Sequence, residues 1–367
     1  MAKTRLNPIG HSAPQASWLR GVGIIALWLL LPALHGCVGY YASSLNGHLE
    51  ILRERESVER LKTSRETPPE LRADMQTASA VRAFAVDELA LPDNRSYRSY
   101  VDLGRDYVTI SVFAAPEFST LPALQCFPFF GCVPYQAYFD REDAFARARD
   151  LQDQGLDVHV TGVIAYSTLG WTADPLLNTM FSGDEARLAG IVFHELAHQQ
   201  VYLRNDSGFN EAYAVAVEIE GVKAWLRSTG NEAAIDTYLE DLSRRDQFVE
   251  LVSETRDDLA TIYGTDSSDD AKRAQKTEAI ARLRSRYERV KAREWDGFSG
   301  YDGWFESPIN NAKLMAVGVY NDLVPAFRGL FEICDRDFAK FHSTVAKVGR
   351  LDFDARRAFL ATAKSCG

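Results

Sequence analysis

Clusters of basic residues with interleaved aromatics are missing from this chain of 367 residues, in which 41 lysines and arginines stand against 51 aspartates and glutamates. The formal net charge of -10 argues against nucleic acid as a partner. A phosphate-binding P-loop and a Gly-x-Ser-x-Gly nucleophile elbow are also lacking, which argues against P-loop nucleotide chemistry and serine hydrolysis. The mean hydropathy of -0.22 excludes a polytopic membrane protein.

The N-terminal segment has the layout of a secretory signal, because an apolar run from Gly21 to Leu34 follows only positive charges. This run is shorter than the roughly 20 residues that a transmembrane helix needs. It ends in Leu34-His35-Gly36-Cys37, which resembles the lipobox of bacterial lipoproteins. Because Val38, and not aspartate, follows the cysteine, the outer membrane is the favoured address. We expect residues 1–36 to be a lipoprotein signal peptide and Cys37 to carry the lipid at the periplasmic face; an uncleaved signal anchor is the alternative.

Four cysteines remain once Cys37 is assigned to the lipid, and an even number in an oxidising compartment suggests two disulfides. Four cysteines allow three pairings. A proline and a glycine between Cys126 and Cys132 can turn the chain back, so the favoured pairing joins these two and joins Cys334 with Cys366. No Cys-x-x-Cys spacing occurs, which argues against a metal site built from cysteines.

Helical and strand patterns follow one another along the mature chain. Apolar residues at spacings of three and four predict helices, whereas β-branched and aromatic runs between 97 and 139 and over 158–166 predict a small antiparallel sheet. A charged helical hairpin is predicted over 232–295, and we interpret it as a solvated structural arm. The other predicted helices cover 46–66, 69–91, 141–154, 309–331, 338–348 and 353–364. We therefore expect an α+β fold that is predominantly helical.

The most informative segment is His194-Glu195-Leu196-Ala197-His198. On a helix, residues four apart project from one face, so both histidines can bind one metal ion while Glu195 lies at the neighbouring edge. This is the HExxH arrangement of zinc-dependent peptidases, in which two imidazoles hold Zn²⁺ and the glutamate takes a proton from the attacking water. Chance gives the pattern on the order of once in a hundred chains of this length. A pair of core histidines is the structural alternative.

A catalytic zinc site needs a third protein ligand. Asn210-Glu211-Ala212 resembles the Asn-Glu-Ala segment of the gluzincin clan, in which the glutamate is that ligand. The turn-rich segment over 205–208 allows the chain to return toward the histidines. Glu218 lies two turns further along the same helical face. It is either the alternative ligand or an acceptor for an imidazole N–H.

Longer stretches of the mature chain resemble the bacterial family of predicted aminopeptidases. The segments that carry the resemblance are Phe84-Ala-x-x-Glu-Leu89, Leu91-Pro-Asp-Asn94, Ala115-Pro-Glu117, Cys126-Phe-Pro128, Ala165-Tyr-Ser-Thr-Leu-Gly-Trp171, the run over 194–199 and Phe209-Asn-Glu211. The resemblance implies an exported gluzincin-like zinc metallopeptidase that acts on peptides, with a zincin-like core in which the sheet precedes the HExxH helix. The expected domains are a metallopeptidase core over 37–230 and a helical C-terminal region over 231–367, whose last helices complete the core.

Two features of the mechanism stay open in the sequence. Zinc aminopeptidases of the gluzincin clan carry a glutamate before HExxH that holds the amino terminus of the substrate, whereas Thr161–Gly170 contains no acidic residue. An endopeptidase is therefore an alternative to an aminopeptidase, and a non-catalytic envelope lipoprotein with a structural metal site is another. The same stretch is a candidate edge strand for peptide pairing, and an ordinary core strand is the alternative. Tyr166, Tyr202 and Tyr213 are candidate hydroxyls for stabilising the tetrahedral oxyanion, and a packing role is the alternative for each of them.

Overall fold

The computed structural model describes residues 39–41, 43–127, 131–165, 167–181, 184–318 and 323–366. The expected signal peptide, Cys37 and Tyr166 therefore lie outside the described residues. The contacts divide the chain into two units. In the first, which ends at Asn46, residues 39–41 and 43–46 are helical. The second unit runs from Gly47 to Gly367 and contains all the elements named below.

The strands of the described ranges form three small sheets. They are β1 (Glu56–Ser57), β2 (Ser99–Val101), β3 (Thr109–Pro116), β4 (Gln125–Phe127), β5 (Gly131–Val133), β6 (Tyr135–Tyr138), β7 (Leu156–Val163) and β8 (Leu176–Leu177). Strand β3 lies between β6 and β7, and both pairings are antiparallel. Strand β2 pairs antiparallel with β1 and parallel with β8. The small antiparallel sheet that the sequence predicts is confirmed.

The second unit contains two disulfides, one in a short hairpin and one near the C-terminus. Cys126 and Cys132 face each other across the β4–β5 hairpin and are joined by a disulfide. Cys334 is joined to Cys366, which brings the last residues of the chain against the C-terminal helices. The structure thus contains the pairing that the turn residues favour.

Helices make up most of the chain, so the predominantly helical α+β class is confirmed. They are α1 (Val58–Thr63), α2 (Pro69–Asp87), α3 (Arg141–Asp153), α4 (Glu185–Gln200), α5 (Ser207–Ser228), α6 (Glu232–Tyr263), α7 (Asp269–Arg293), α8 (Asp302–Glu306), α9 (Asn311–Gly318), α10 (Val324–Ile333), α11 (Phe338–Val348) and α12 (Phe353–Thr362). None of the helices in the described ranges combines the length and apolarity that crossing a bilayer requires.

The single helix predicted over 46–66 is wrong, because a strand interrupts it. Helix ends at residue 53, and β1 then pairs with β2 through Glu56 and Ser57. The Ser57 hydroxyl accepts a hydrogen bond from the backbone N–H of Arg60, so it caps α1. Apolar spacing alone misses this break, since the residues on both sides of it are helical.

Helices α4 and α5 form the most extensive helix–helix contact of the core. Small residues make their close approach possible. A β-carbon at Gly221 would lie 2.8 Å from Leu89 Cδ1 and 2.9 Å from Phe193 Cδ2. A β-carbon at Gly190 would lie 3.3 Å from the side chain of Glu218. The absence of side chains at these two positions brings the polar residues of α5 against α4.

The hairpin formed by α6 and α7 packs in a separate hydrophobic cluster with residues that follow it in the chain; Tyr287, Trp295 and Phe305 are among its members. It also contacts the antiparallel sheet, because Lys276 Nζ lies 2.7 Å from Asp157 Oδ2. The first turns of α6 contribute side chains to the cavity beside His194. The interpretation of this hairpin as a purely solvated arm is therefore wrong.

Candidate metal centre

Helix α4 presents both histidines of the motif on one face. Asp184 caps its N-terminus by accepting a hydrogen bond of 2.9 Å from the backbone N–H of Ala186. The opposite face carries Leu188, Val192 and Leu196, which are buried in the main core. This amphipathic pattern fixes the rotation of the helix, so that His194 and His198 point away from the apolar core.

The start of helix α5 is held by a local hydrogen-bond network. Asp206 accepts a hydrogen bond from the backbone N–H of Phe209 and caps the helix. The Asn210 side chain accepts from the backbone N–H of Leu203 and donates to its carbonyl, both at 2.8 Å. These bonds fix the turn after α4, which brings Glu211 back to the histidines. Asn210 of the Asn-Glu pair thus has a positioning role.

Three donor side chains converge at one point. His194 Nε2 lies 3.1 Å from His198 Nε2, and the two carboxylate oxygens of Glu211 lie 3.4 Å from the first nitrogen and 3.7 Å from the second. All three ligand atoms lie within 4.8 Å of one another. Two imidazole nitrogens and one carboxylate are the donor set of a catalytic zinc site. The residues therefore fit this metal.

Glu218 lies on the other side of His194 and is not part of the converging group. Its Oε2 atom is 3.1 Å from His194 Nδ1. Because a carboxylate only accepts, Nδ1 donates to Glu218, so Nε2, which faces Glu211 and His198, is the nitrogen that would bind a metal ion. Of the two roles that the sequence leaves open for Glu218, the geometry favours the acceptor of an imidazole N–H. Arg245 Nη1 lies 3.7 Å from the second oxygen of Glu218.

The charges at the centre favour a cation. Burial opposes protonation of His194, but its bonds to Glu211 and Glu218 outweigh this and raise the pKa of the imidazole to about 10. Burial likewise disfavours the ionised form of Glu211, yet the two histidines lower its pKa to about 2. Burial raises the pKa of Glu195. A carboxyl with a raised pKa is suited to accepting and returning a proton near neutral pH.

Two cavities share His194 and Glu195 in their lining. The first, which we call the sheet-side cavity, has a volume of about 310 Å³ and is lined by Thr109, Ser111, Tyr135, Ala137, Val163, Ala165, Ser167, Leu169, His194, Glu195, His198, Tyr202 and Glu211. The second, the helix-side cavity, has a volume of about 490 Å³. Val163, the last residue of β7, and Ala165 line both cavities. A peptide bound along this segment would pass the metal centre.

The predicted strand over 158–166 ends earlier, at Val163. The following loop is held by the buried Asp174, whose carboxylate accepts hydrogen bonds from the Thr168 hydroxyl and the Thr168 backbone N–H. Gln199, in the last turn of α4, lies within hydrogen-bond distance of the same carboxylate. The loop is thereby fixed to the helix that carries the histidines.

The three candidate tyrosines have different positions. Tyr213 is fully buried, and its hydroxyl lies 2.8 Å from His342 Nδ1. Because it lines neither cavity, the predicted catalytic role of Tyr213 is replaced by a packing role. Tyr202 lines the sheet-side cavity and has a half-exposed side chain. Tyr166 lies outside the described residues.

Sequence reasoning missed Tyr238 and Arg245, which both line the helix-side cavity from α6. No motif connects these positions to His194, because the contact arises from the packing of the hairpin. The charged pattern of α6 is also typical of an exposed helix. Only their position in the folded structure, in the lining of this cavity, identifies these two residues.

Comparison with known proteins gives one result that classifies the chain. No curated protein and no solved structure matches it significantly. A family model described as "Putative aminopeptidase" matches residues 39–360, which include the helices of the metal centre and both cavities. This description suggests a hydrolase that acts on peptides. The chain belongs to this aminopeptidase family.

Proposed function

We propose that the protein is a zinc-dependent peptidase of the cell envelope. The observation that carries the proposal is the convergence of His194, His198 and Glu211 beside Glu195, at the junction of two cavities. The family description supports peptide hydrolysis. Dependence on zinc rests on the donor set and on the preference of the centre for positive charge.

His194, His198 and Glu211 would hold the metal, and Glu218 orients His194 through Nδ1. When bound, zinc supplies a Lewis acid that polarises the scissile carbonyl and lowers the pKa of water. Glu195 accepts a proton from the attacking water and delivers it to the leaving amine. Tyr202, which lines the sheet-side cavity, and Tyr166, which lies outside the described residues, remain the candidates for stabilising the oxyanion.

Aminopeptidase action is the first candidate because the family description names it. Endopeptidase action is the second, and a specific observation favours it. Two cavities share His194 and Glu195 in their lining, so both sides of a scissile bond have room. Apart from Glu195 and Glu211, no acidic residue of the described part of the chain lines the sheet-side cavity, where it could hold a free amino terminus.

The experiment that tests the function replaces Glu195 with glutamine. Glu195→Gln keeps the size of the side chain but cannot accept the proton, so hydrolysis of a peptide library should fall by at least about a hundredfold while zinc and fold persist. Glu250→Gln, at an exposed position of α6, is the control and should behave as wild type. If the zinc-loaded wild type cleaves no peptide, or if Glu195→Gln cleaves as well as wild type, the peptidase proposal fails.

The same library distinguishes the two modes of cleavage. Removal of single residues from free amino termini, with acetylated peptides left intact, assigns an aminopeptidase. Internal cuts in acetylated peptides assign an endopeptidase.

We also propose that Cys37 anchors the protein to the periplasmic face of the outer membrane. The two disulfides support an oxidising compartment. Cys37→Ser should prevent lipidation, because the thiol is the acyl acceptor in the lipobox interpretation. The measurement is membrane fractionation with metabolic labelling by a fatty acid. Cleaved, acylated Cys37→Ser protein in the membrane fraction would contradict the assignment.

A further inference from the structure

The helix-side cavity contains two buried donor atoms without partners. The Tyr238 hydroxyl and Arg245 Nε form no hydrogen bond within the described part of the chain. Both residues line the cavity that reaches His194 and Glu195. Buried polar atoms are rarely left unsatisfied, because their desolvation is then uncompensated. Two such donors in one cavity point to an acceptor that a ligand supplies.

Three of the four carboxyl groups that line this cavity already have partners, and the fourth, Glu195, is the proposed general base. Asp184 caps α4 through the backbone N–H of Ala186, at 2.9 Å. Asp241 Oδ1 accepts from Arg244 Nη1 at 2.8 Å. Glu218 accepts from His194, as described above. Apart from Glu195, the acidic groups are therefore engaged within the protein, whereas the Tyr238 hydroxyl and Arg245 Nε are not. The Nη1 atom of the same arginine lies 3.7 Å from Glu218.

Arg187 adds a second positive charge to the lining of the cavity. Its side chain is exposed, and it forms no hydrogen bond or ion pair with any other residue that the structure describes. Arg187 and Arg245 approach the cavity from different helices, α4 and α6. Guanidinium groups bind carboxylates through paired hydrogen bonds, which gives both strength and orientation.

We propose that the helix-side cavity is a subsite for a peptide carboxylate, an inference that rests on the proposed function. Tyr238 and Arg245 donate hydrogen bonds to it, and Arg187 contributes charge. The volume of about 490 Å³ is within the range of small-ligand pockets, so it accommodates a short peptide fragment. The carboxylate belongs either to the chain terminus of this fragment or to an acidic side chain next to the scissile bond.

Binding measurements test the subsite without turnover. The zinc-loaded Glu195→Gln protein is titrated by calorimetry with Ala-Ala-Ala, with its C-terminal amide, and with the amide of Ala-Glu-Ala. We expect the free acid, the glutamate-containing amide, or both to bind at least about tenfold tighter than the plain amide. A preference for the free acid alone assigns the chain terminus. If the glutamate-containing amide binds as tightly as the free acid, or more tightly, the subsite accepts an acidic side chain.

Second substitutions in the same background identify the donors. Arg245→Gln should remove the preference for a carboxylate, and Tyr238→Phe, which preserves the ring, should reduce it severalfold. Arg282→Gln on α7, where the arginine side chain is 56% exposed, is the control and should leave the preference unchanged. Zinc content and melting temperature establish that each variant is folded.

The outcomes separate this inference from the proposed function. Equal binding of the three peptides, or binding of none, overturns the carboxylate subsite, even if the wild type hydrolyses peptides. A preference that survives both Arg245→Gln and Tyr238→Phe also overturns it. Conversely, a carboxylate preference in a protein whose wild type cleaves nothing would support the subsite while the peptidase proposal fails.

Discussion

Two clusters of polar residues, one partly buried and one fully buried, share helix α5 and differ in their neighbours. Glu211 and Glu218, seven residues apart, face the histidines of α4. Tyr213 lies on another face of the same helix and contacts His342 of α11. In the first cluster the imidazole partners are carboxylates, whereas in the second they are a hydroxyl and the backbone carbonyl of Leu89.

This difference sets the charge of the imidazoles. Carboxylates raise the pKa of His194 to about 10 in spite of its burial. Burial without a carboxylate lowers the pKa of His342 to about 4. The neutral His342 donates from Nε2 to the carbonyl of Leu89 and accepts from the Tyr213 hydroxyl at Nδ1. A buried histidine is therefore a metal-ligand candidate when its neighbours favour a cation, and a packing residue when they do not.

The largest expected effect is the loss of zinc from His198→Ala. Removal of one of three protein ligands should abolish stoichiometric binding, whereas wild type should bind about one zinc per chain. Metal analysis after dialysis measures this. His342→Asn is the matched control from the other cluster, and it should retain zinc while losing stability. Full retention of zinc by His198→Ala would remove the distinction between the two clusters.

Stability should depend on pH with opposite signs in the two clusters. The folded pKa of His342, about 4, lies below the ordinary value of 6.5, so the unfolded chain binds more protons between these values. The free energy of unfolding should therefore fall as pH drops from 6.5 to 4, by on the order of 3 kcal/mol at pH 4. In the metal-free protein, the raised pKa of His194 stabilises the fold below pH 6.5. This contribution is lost as pH rises toward about 10.

Urea unfolding of the metal-free protein at a series of pH values measures both effects. His342→Asn should have a smaller loss of stability between pH 6.5 and 4 than wild type, because the titrating group is gone. Identical pH dependence in the two proteins would show that His342 does not make this contribution.

The sequence predicts the parts of the centre that lie close together along the chain. A spacing of four places His194 and His198 on one helical face, and the caps of α4 and α5 have local causes. Helical periodicity assigns a residue to a face but does not identify what packs against that face. For this reason the sequence leaves Glu218 and Tyr213 with two roles each.

Long-range packing accounts for the remainder. The hairpin that supplies Tyr238 and Arg245 begins after α5, and the side chains it presents to the cavity depend on how α6 rests on the core. The break at β1 has a similar origin, since Glu56 and Ser57 pair with a strand more than forty residues away. Neither contact leaves a pattern within a window of the length of one helix.

The smallest expected effect comes from Tyr213→Phe, which separates a packing tyrosine from a catalytic one. The substitution removes the hydrogen bond to His342 Nδ1 and leaves this buried acceptor unsatisfied, so stability should fall by about 1–2 kcal/mol. Zinc content and peptide hydrolysis should be unchanged at temperatures well below unfolding. Tyr202→Phe, in the sheet-side cavity, is the comparison, since it should lower kcat without a comparable loss of stability. If Tyr213→Phe lowered kcat in a protein as stable as wild type, Tyr213 would return to the catalytic machinery, and the buried cluster around His342 would have to communicate with the metal centre through α5.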